Sequence, residues 1–132
     1  MKTHIFLVDD DIEEMRFFVK ALNEMGDKFK CTYASNGAHA IKMLHYLRPE
    51  KIFIKYNMPE MNGLEVTEEL RKTKELKDIP VFLFSSQLDT SSRQRAKALN
   101  ITLCMDKPNS KIDISTVLKS IFESPAILSS EM

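Results

Sequence analysis

The segment KIFIKYNMPEMNG, residues 51–63, is the part of the sequence that best defines the fold. It opens with the short apolar run IFI, ends that run at Lys55, and continues into a stretch that contains Pro59 and Gly63. A short continuous apolar run is typical of a strand that helices cover on both faces. Pro and Gly are frequent in the loops that follow such strands. The segment therefore predicts a buried β-strand that ends at Lys55.

Short apolar runs of the same kind recur along the chain and alternate with helical patterns. The predicted strands lie near His4–Val8, Lys30–Ala34, Lys51–Lys55, Val81–Ser85 and Thr102–Met105. Strand–helix alternation repeated five times predicts an α/β fold, a doubly wound sandwich around a five-stranded parallel sheet. The pattern alone leaves the order of the strands in that sheet open.

Five helices are predicted between and after the strands, four of them from apolar residues that recur at spacings of three and four. Asp11 is a suitable amino-terminal cap for the first helix, and Gly26 is a suitable stop signal. The second helix ends before Pro49, Gly63 precedes the third, and the fourth, near Ser91–Leu99, is mostly polar. The apolar stripes consist of Ile12, Met15, Val19, Leu22 and Met25; Ala40, Ile41, Leu44 and Leu47; Leu64, Thr67 and Leu70; and Ile114, Val117, Leu118 and Ile121.

The size and charge of the chain indicate a single globular domain. A chain of 132 residues can bury roughly two-thirds of its unfolded surface, so we place one domain at residues 1–123 and a flexible tail at residues 124–132. The 19 basic residues equal the 19 acidic ones, which argues against a broad basic face for nucleic acid.

Targeting signals and cysteine spacing bear on where the protein works. The apolar run at the amino terminus is too short for a signal peptide, and no stretch approaches the roughly 20 residues that span a bilayer. We therefore expect a cytoplasmic protein with no membrane contact. Cys31 and Cys104 lack the spacing of a metal site, so we expect reduced thiols.

Charged and polar side chains follow four of the five predicted strands. Asp9 and Asp10 follow the first strand, Lys55 ends the third, Ser85 ends the fourth, and Lys107 follows the fifth. Functional groups of doubly wound sheets gather at the carboxyl ends of the strands. We therefore expect these five side chains to converge on one edge of the sheet.

The charges at this edge bear on whether it binds a cation. Two carboxylates and two lysines would make the pocket neutral, whereas Mg²⁺ prefers several charged oxygen ligands and sheds its water reluctantly. We expect Mg²⁺ to bind weakly or not at all, and we expect no other cofactor. An ion pair of Lys55 with Asp9 or Asp10 could replace the metal, because at about 4 Å and a dielectric of about 20 the attraction is about 4 kcal/mol before desolvation is subtracted.

The same residues, in this order and spacing, resemble the receiver domain of bacterial two-component response regulators over nearly the whole chain. The resemblance implies the strand order 2-1-3-4-5 and, at the position of Lys55, an aspartate that accepts a phosphoryl group. It also implies that Asp9, Asp10 and the backbone carbonyl of Asn57 hold a metal. Ser85 matches the hydroxyl residue that contacts the phosphoryl group, and Lys107-Pro108 matches a lysine followed by a cis-proline bond.

Two departures from the family pattern predict a pseudo-receiver. Lys55 replaces the acceptor, and Cys104 replaces the Tyr or Phe that the family usually has three residues before the lysine. The chain contains no aspartate between Asp27 and Asp78, and Glu60 lies about five residues too far along to substitute. Phosphorylation at this site is therefore not expected.

Several functions remain open at this point. The first is a module that binds signalling proteins without phosphorylation, through the face made by the fourth helix, the fifth strand and the fifth helix. The second is a decoy that docks a histidine kinase or phosphotransfer protein through the first helix, around Met15, Phe18 and Val19. A third, an enzyme or nucleotide binder, is disfavoured because the acids favour an ion pair over the free amine of a Schiff base, and because their loop lacks phosphate-binding glycines.

Each feature also has a purely structural interpretation. The run Asp9-Asp10-Asp11 would serve as a helix cap with favourable charges, and Lys55 would be the counter-ion of these acids. Under the signalling interpretations the partners are a histidine kinase, a phosphotransfer protein or a downstream effector. The protein itself is then expected to be a monomer or a weak homodimer.

Overall fold

The computed structural model describes residues 2–85, 88–106 and 111–123, without the side chains of residues 106 and 111–113. Within these ranges five strands alternate with five helices, as the sequence predicts. The strands are β1 (Thr3–Val8), β2 (Phe29–Ala34), β3 (Lys51–Lys55), β4 (Val81–Ser85) and β5 (Leu103–Asp106). Every strand boundary lies within one residue of its predicted position. The expected roles of Lys107, the Lys107-Pro108 bond and the tail at 124–132 lie outside the described residues.

The helices cover both faces of the sheet. They are α1 (Ile12–Glu24), α2 (Gly37–Leu44), α3 (Gly63–Arg71), α4 (Thr90–Ala98) and α5 (Lys111–Glu123). The predicted first helix ends where expected, since Gly26 follows it with a φ of 114°, a conformation that favours glycine. The predicted second stripe was too long, because α2 ends at Leu44 and Leu47 packs against the core from the turn that follows.

All five strands are parallel and follow the order β2-β1-β3-β4-β5. The fold is therefore the doubly wound, flavodoxin-like sandwich that the resemblance implies. Val8 of β1 lies beside both Ala34 of β2 and Ile54 of β3, so these three strands end level with one another. That alignment brings the residues that follow β1 next to the last residue of β3.

The core has one layer on each face of the sheet. One layer packs α2, α3 and α4 against residues such as Phe6 and Ile52. The other packs α1 and α5 against an aromatic cluster in which the ring centroids of Phe18 and Phe53 are 5.1 Å apart and those of Phe53 and Phe82 are 4.8 Å apart. Continuous burial of β3 and β4 explains why their sequences are apolar without alternation.

The large apolar residues that α1 exposes differ from those expected to contact a partner. Phe18, which was expected to contact a partner, is only 3% exposed and belongs to the core. The exposed large apolar residues of this helix are Ile12, at 52%, and Phe17, at 42%. Met15 and Val19 are half-buried. Any docking surface on α1 must therefore be centred on Ile12 and Phe17.

The two cysteines are not joined in a disulfide and are partly buried. Burial raises the pKa of the Cys31 thiol from 9.0 to about 11 and also raises the pKa of Cys104 against the opposing charge of Arg93. Thiols in this condition are poor nucleophiles because little thiolate is present near neutral pH. None of the helices in the described ranges is long and apolar enough to cross a bilayer.

Candidate functional site

Two hydrogen bonds hold Asp9 at the carboxyl end of β1, one with the loop that follows and one with the neighbouring strand β2. Its side-chain Oδ1 accepts a hydrogen bond from the backbone N–H of Asp11 at 2.9 Å. Its backbone carbonyl accepts one from the Tyr33 hydroxyl of β2 at 2.7 Å. Burial, and then the negative charges of Asp9, Asp10 and Asp11, raise the pKa of the Tyr33 phenol, so this hydroxyl stays protonated and donates. The sequence pattern did not predict Tyr33 as a site residue.

The first turn of α1 starts directly beyond the acidic pair. Asp11 is the predicted amino-terminal cap, and its Oδ1 accepts hydrogen bonds from the backbone N–H groups of Glu13 at 2.9 Å and Glu14 at 3.3 Å. This cap orients the helix so that Glu14, in the first turn, faces the edge of the sheet. Glu14 is a site residue that sequence analysis missed, although its position three residues after a predicted cap was a usable signal.

Lys55 ends β3 and directs its ammonium group into the acids. Its Nζ lies 2.9 Å from Asp10 Oδ1, 2.9 Å from Glu14 Oε1 and 3.8 Å from Asp9 Oδ1. The Lys55 side chain is 13% exposed, and the Asp9 side chain is 11% exposed. The expected ion pair with the acidic pair is therefore present, and a third carboxylate takes part in it.

The backbone around Lys55 is fixed by the start of α3. The N–H of Gly63 donates a 3.0 Å hydrogen bond to the carbonyl of Tyr56, directly after Lys55. A Cβ on Gly63 would lie 2.7 Å from the Lys55 carbonyl, so only glycine allows this close approach. Asn62 caps α3 in a reciprocal capping box with Glu65, with both hydrogen bonds at 2.9 Å. The cap and the glycine together set where β3 ends.

Ser85 and Cys104 lie at the same end of the sheet, on the side of β4 and β5. Ser85 is buried at the end of β4. This strand lies next to β3 in the sheet, where Phe84 is the partner of Lys55. Ser85 and Cys104 line a cavity of about 20 Å³ together with Arg93 and two apolar residues, Leu88 and Met105. A space of this size accepts about one water molecule, not an aromatic ring.

The predicted site residues are only partly assembled in the described ranges. Asp9, Asp10 and Lys55 are in contact, Ser85 lies one strand away, and Asn57 is exposed in the loop after β3. Lys107 lies outside the described residues. The predicted neutral count omitted Glu14, which adds a third carboxylate to the pocket. Among the described residues these three carboxylates face the ammonium of Lys55, whereas the second lysine of that count, Lys107, is not described.

Comparison with known proteins agrees with this architecture. The model of the response regulator receiver domain family matches residues 5–119. The two-component response regulator ORR3 of Oryza sativa subsp. indica is 28% identical over 119 residues, which cover 89% of each chain. The polar-differentiation response regulator DivK of Brucella anthropi is 26% identical over 120 residues, which cover 91% of this chain and 96% of that protein.

Solved structures share the fold at lower identity. The phosphorylated cyanobacterial phytochrome response regulator RcpA has a TM-score of 0.84 at 24% identity and covers 93% of both chains. The chemotaxis response regulator CheY4 of Vibrio cholerae has a TM-score of 0.79 at 21% identity, over 92% of this chain and all of that one. With its strand order, its acidic pair after β1 and a family match over most of its length, this chain belongs to the response regulator receiver domain family.

Proposed function

We propose that this chain is a degenerate receiver that acts by binding signalling proteins and is not itself phosphorylated at the usual position. The observation that carries the proposal is Lys55, whose Nζ lies 2.9 Å from Asp10 Oδ1 and from Glu14 Oε1. An acyl phosphate requires a carboxylate nucleophile, which an ammonium group cannot supply. No aspartate occurs between Asp27 and Asp78 that could take its place.

The residues of the pocket fit a divalent cation poorly. Family resemblance implies Mg²⁺ held by Asp9, Asp10 and the carbonyl of Asn57. With Lys55 among Asp9, Asp10 and Glu14, no three His, Cys, Asp or Glu side chains in the described part of the chain are arranged to hold a metal ion. The ammonium of Lys55 occupies the space between the acids, where its charge opposes that of a second cation. We therefore assign Mg²⁺ no part in the proposed function.

The surface of α4 supports a binding role. Eight of its nine residues are exposed or half-buried, and only Ala96 is buried. Arg93, Arg95 and Lys97 give this helix three positive charges, of which Arg95 is paired with Glu68 of α3, and Thr90–Ala98 contains no acid. Such a face suits an effector with an acidic surface, because charge complementarity speeds association and excludes basic partners.

A phosphorylation assay tests the first proposal. The protein is incubated with acetyl phosphate and Mg²⁺, and its intact mass is recorded before and after treatment with hydroxylamine, which cleaves acyl phosphates. We expect no labile gain of one phosphoryl group, because the pocket holds no acceptor carboxylate. A receiver that retains the acceptor aspartate serves as the positive control in the same reaction. A hydroxylamine-sensitive gain by this protein would overturn the proposal.

The variant Lys55→Asp is the matched control within this chain. It restores a carboxylate at the end of β3 while leaving Asp9, Asp10 and Ser85 in place. We expect Lys55→Asp to recover Mg²⁺ binding and acetyl phosphate labelling in part. Partial recovery is expected because Cys104 still replaces the Tyr or Phe that the family usually has at that position.

A second candidate function is suggested by the exposed apolar residues of α1. Ile12 and Phe17 flank the segment that carries Glu14, so a kinase or phosphotransfer protein could dock there without transferring phosphate. The chain would then act as a decoy. Large apolar side chains that are exposed beside a charged site are frequent contributors to protein interfaces.

A competition assay tests the decoy hypothesis. The protein is added in excess to a reaction in which a purified histidine kinase phosphorylates its own receiver. We expect inhibition that the double variant Ile12→Ser/Phe17→Ser abolishes. The control is Tyr46→Ser, which removes a side chain that is 89% exposed, away from α1. Equal inhibition by both variants would contradict docking through α1.

A further inference from the structure

Three carboxylates from two different segments converge on one ammonium group. Asp9 and Asp10 come from the end of β1, Glu14 comes from the first turn of α1, and Lys55 comes from the end of β3. The Glu14 side chain is 20% exposed and that of Asp10 is 30% exposed, so both contacts are largely shielded from water. Ion pairs in such surroundings are screened less than those on the surface.

Glu14 and Glu65 hold equivalent positions at the starts of two helices but make different contacts. Glu65 stands three residues after the cap of α3 and accepts the backbone N–H of Asn62, which completes a capping box. Glu14 stands three residues after the cap of α1, but the backbone N–H of Asp11 donates to Asp9 instead. Asp9 thus takes the place that Glu14 would fill in a capping box, and the Glu14 carboxylate is directed to Lys55.

We propose that the Lys55 ammonium is the resident cation of this pocket and that Glu14 is the positioning residue that, with Asp10, keeps it there. The inference deepens the proposed function, because it makes the site a self-filled structure rather than a vacant metal site. An ammonium offers three N–H donors, two of which are accepted at 2.9 Å by Asp10 and Glu14. A divalent ion would have to displace this group and lose the hydrogen bonds that hold it.

Titration with Mn²⁺ tests whether Lys55 excludes divalent cations. Free Mn²⁺ is measured by electron paramagnetic resonance for the wild type, Lys55→Met and Lys72→Met. Lys55→Met leaves three carboxylates facing one another. We expect this variant to bind Mn²⁺ at least about tenfold more tightly than the wild type, which corresponds to a difference in binding free energy of about 1.4 kcal/mol. Lys72→Met removes an exposed lysine and the same charge, so it should bind as weakly as the wild type.

Two outcomes of this titration would overturn the proposal. One is equal affinity of the wild type and Lys55→Met, which would mean that the ammonium does not compete with the metal. The other is an equal gain by Lys72→Met, which would attribute the effect to net charge. Neither outcome depends on phosphorylation, so the proposed function can fail in the acetyl phosphate assay while this inference holds.

Chemical labelling tests the role assigned to Glu14. Lysines are methylated by formaldehyde and a mild reductant, and the modification of each lysine is measured by peptide mass spectrometry. We expect Glu14→Gln to raise the labelling rate of Lys55 about tenfold relative to the wild type, because the contact that the ammonium makes with residue 14 is no longer assisted by a negative charge. Glu69→Gln, which breaks the exposed pair with Lys72, should leave Lys55 unchanged.

Amide hydrogen exchange in α1 separates positioning from general loosening. A helix that frays without Glu14 would show faster amide exchange along Ile12–Glu24 together with faster labelling of Lys55, whereas a positioning role raises the labelling of Lys55 alone. Unchanged labelling of Lys55 in a folded Glu14→Gln protein, with the urea midpoint of the wild type, would overturn the assignment. Joint acceleration of amide exchange in α1 and of labelling at Lys55 would overturn it equally.

Discussion

Arg71→Met is expected to lower the free energy of unfolding by about 3 kcal/mol, since hydrogen bonds to charged groups contribute about 1.5–3 kcal/mol each and do not add fully. The Arg71 guanidinium donates to four backbone carbonyls at the edge of the sheet opposite the site. Its Nε and Nη2 reach Leu99 at 2.8 Å and Asn100 at 3.2 Å. Its Nη1 reaches Ile79 at 2.9 Å and Leu76 at 3.3 Å.

These four contacts join two loops that are separate in sequence. One loop leads from α3 to β4, and the other follows α4, where Asn100 has a φ of 57°. Burial lowers the pKa of the Arg71 guanidinium, which reflects the loss of water around the charge. Methionine preserves the apolar stem but removes the guanidinium donor from all four carbonyls, of which Leu76 also accepts the N–H of Ile79. The expected loss is therefore that of a partly buried hydrogen-bond network, not of a surface charge.

Urea unfolding of Arg71→Met and Lys72→Met provides the matched comparison. Both substitutions remove one positive charge at the carboxyl end of α3, but Lys72 is exposed and contacts only Glu69 among the described ion pairs. Exposed pairs contribute about 0.2–1 kcal/mol, so Lys72→Met should be nearly neutral. Similar midpoints for the two variants would show that the carbonyl contacts of Arg71 contribute little.

The fold could be predicted from the sequence because its determinants are local. Continuous apolar runs such as Phe82–Phe84 and helical stripes report directly which segments are buried. The strand order could not be predicted from pattern alone, because every parallel order buries the same runs. It followed from the resemblance, and the pairing of β1 with both β2 and β3 confirms it.

The site was predicted only where its residues follow strand ends. Asp9, Asp10 and Lys55 were found by that rule, and their contacts are present. Glu14 was missed because its carboxylate is redirected by a hydrogen bond between Asp9 and Asp11, which no periodicity reports. Tyr33 was missed for a similar reason, since its hydroxyl contacts a backbone carbonyl on the neighbouring strand. The Glu14–Lys55 and Tyr33–Asp9 contacts join segments that are distant in sequence, so they depend on how those segments are aligned in the fold.

The redirected Glu14 also changes how Lys55 is to be interpreted. A lysine that merely replaced the acceptor would need only the acidic pair as counter-ions. Instead, α1 supplies a third carboxylate, so Lys55 at the end of β3 is matched by a contact from another element. Lys55 is therefore integrated into the local structure and links β3 to α1. Such a link supports the proposed function, because it holds these two elements in one relative position.

Gly63→Ala is expected to destabilise the protein by about 3 kcal/mol, at the upper end of the usual cost of forcing extra atoms into a packed region. The added Cβ would lie 2.6 Å from Leu83 Cδ1, 2.7 Å from the Lys55 carbonyl oxygen and 3.1 Å from Tyr56 Cα. Two of these neighbours are backbone atoms of β3 and the residue after it. They cannot rotate away, so relief requires a shift of the end of β3 or of α3.

Gly37→Ala is the comparator, because it places a Cβ equally close to other atoms. Its nearest neighbours are Val66 Cγ2 at 2.7 Å and Met61 Sδ at 2.9 Å, which are side-chain atoms. The flexible methionine can move at low cost, but the buried Val66 methyl belongs to a stiff, β-branched side chain, so we expect a loss of about 2 kcal/mol, smaller than that of Gly63→Ala. Urea unfolding of both variants measures the difference, and a loss for Gly37→Ala that equals or exceeds that of Gly63→Ala would contradict the argument.

Gly63→Ala also tests whether the backbone at the end of β3 sets the position of the Lys55 ammonium. If the end of β3 shifts to admit the Cβ at residue 63, the Lys55 ammonium moves relative to the carboxylates of Asp10 and Glu14. We therefore expect Gly63→Ala to raise the methylation rate of Lys55 under conditions in which the variant is folded, while Gly37→Ala leaves that rate unchanged. A stability loss without any change at Lys55 would mean that α3 yields instead of β3. The position of the resident cation would then be set by the acids alone.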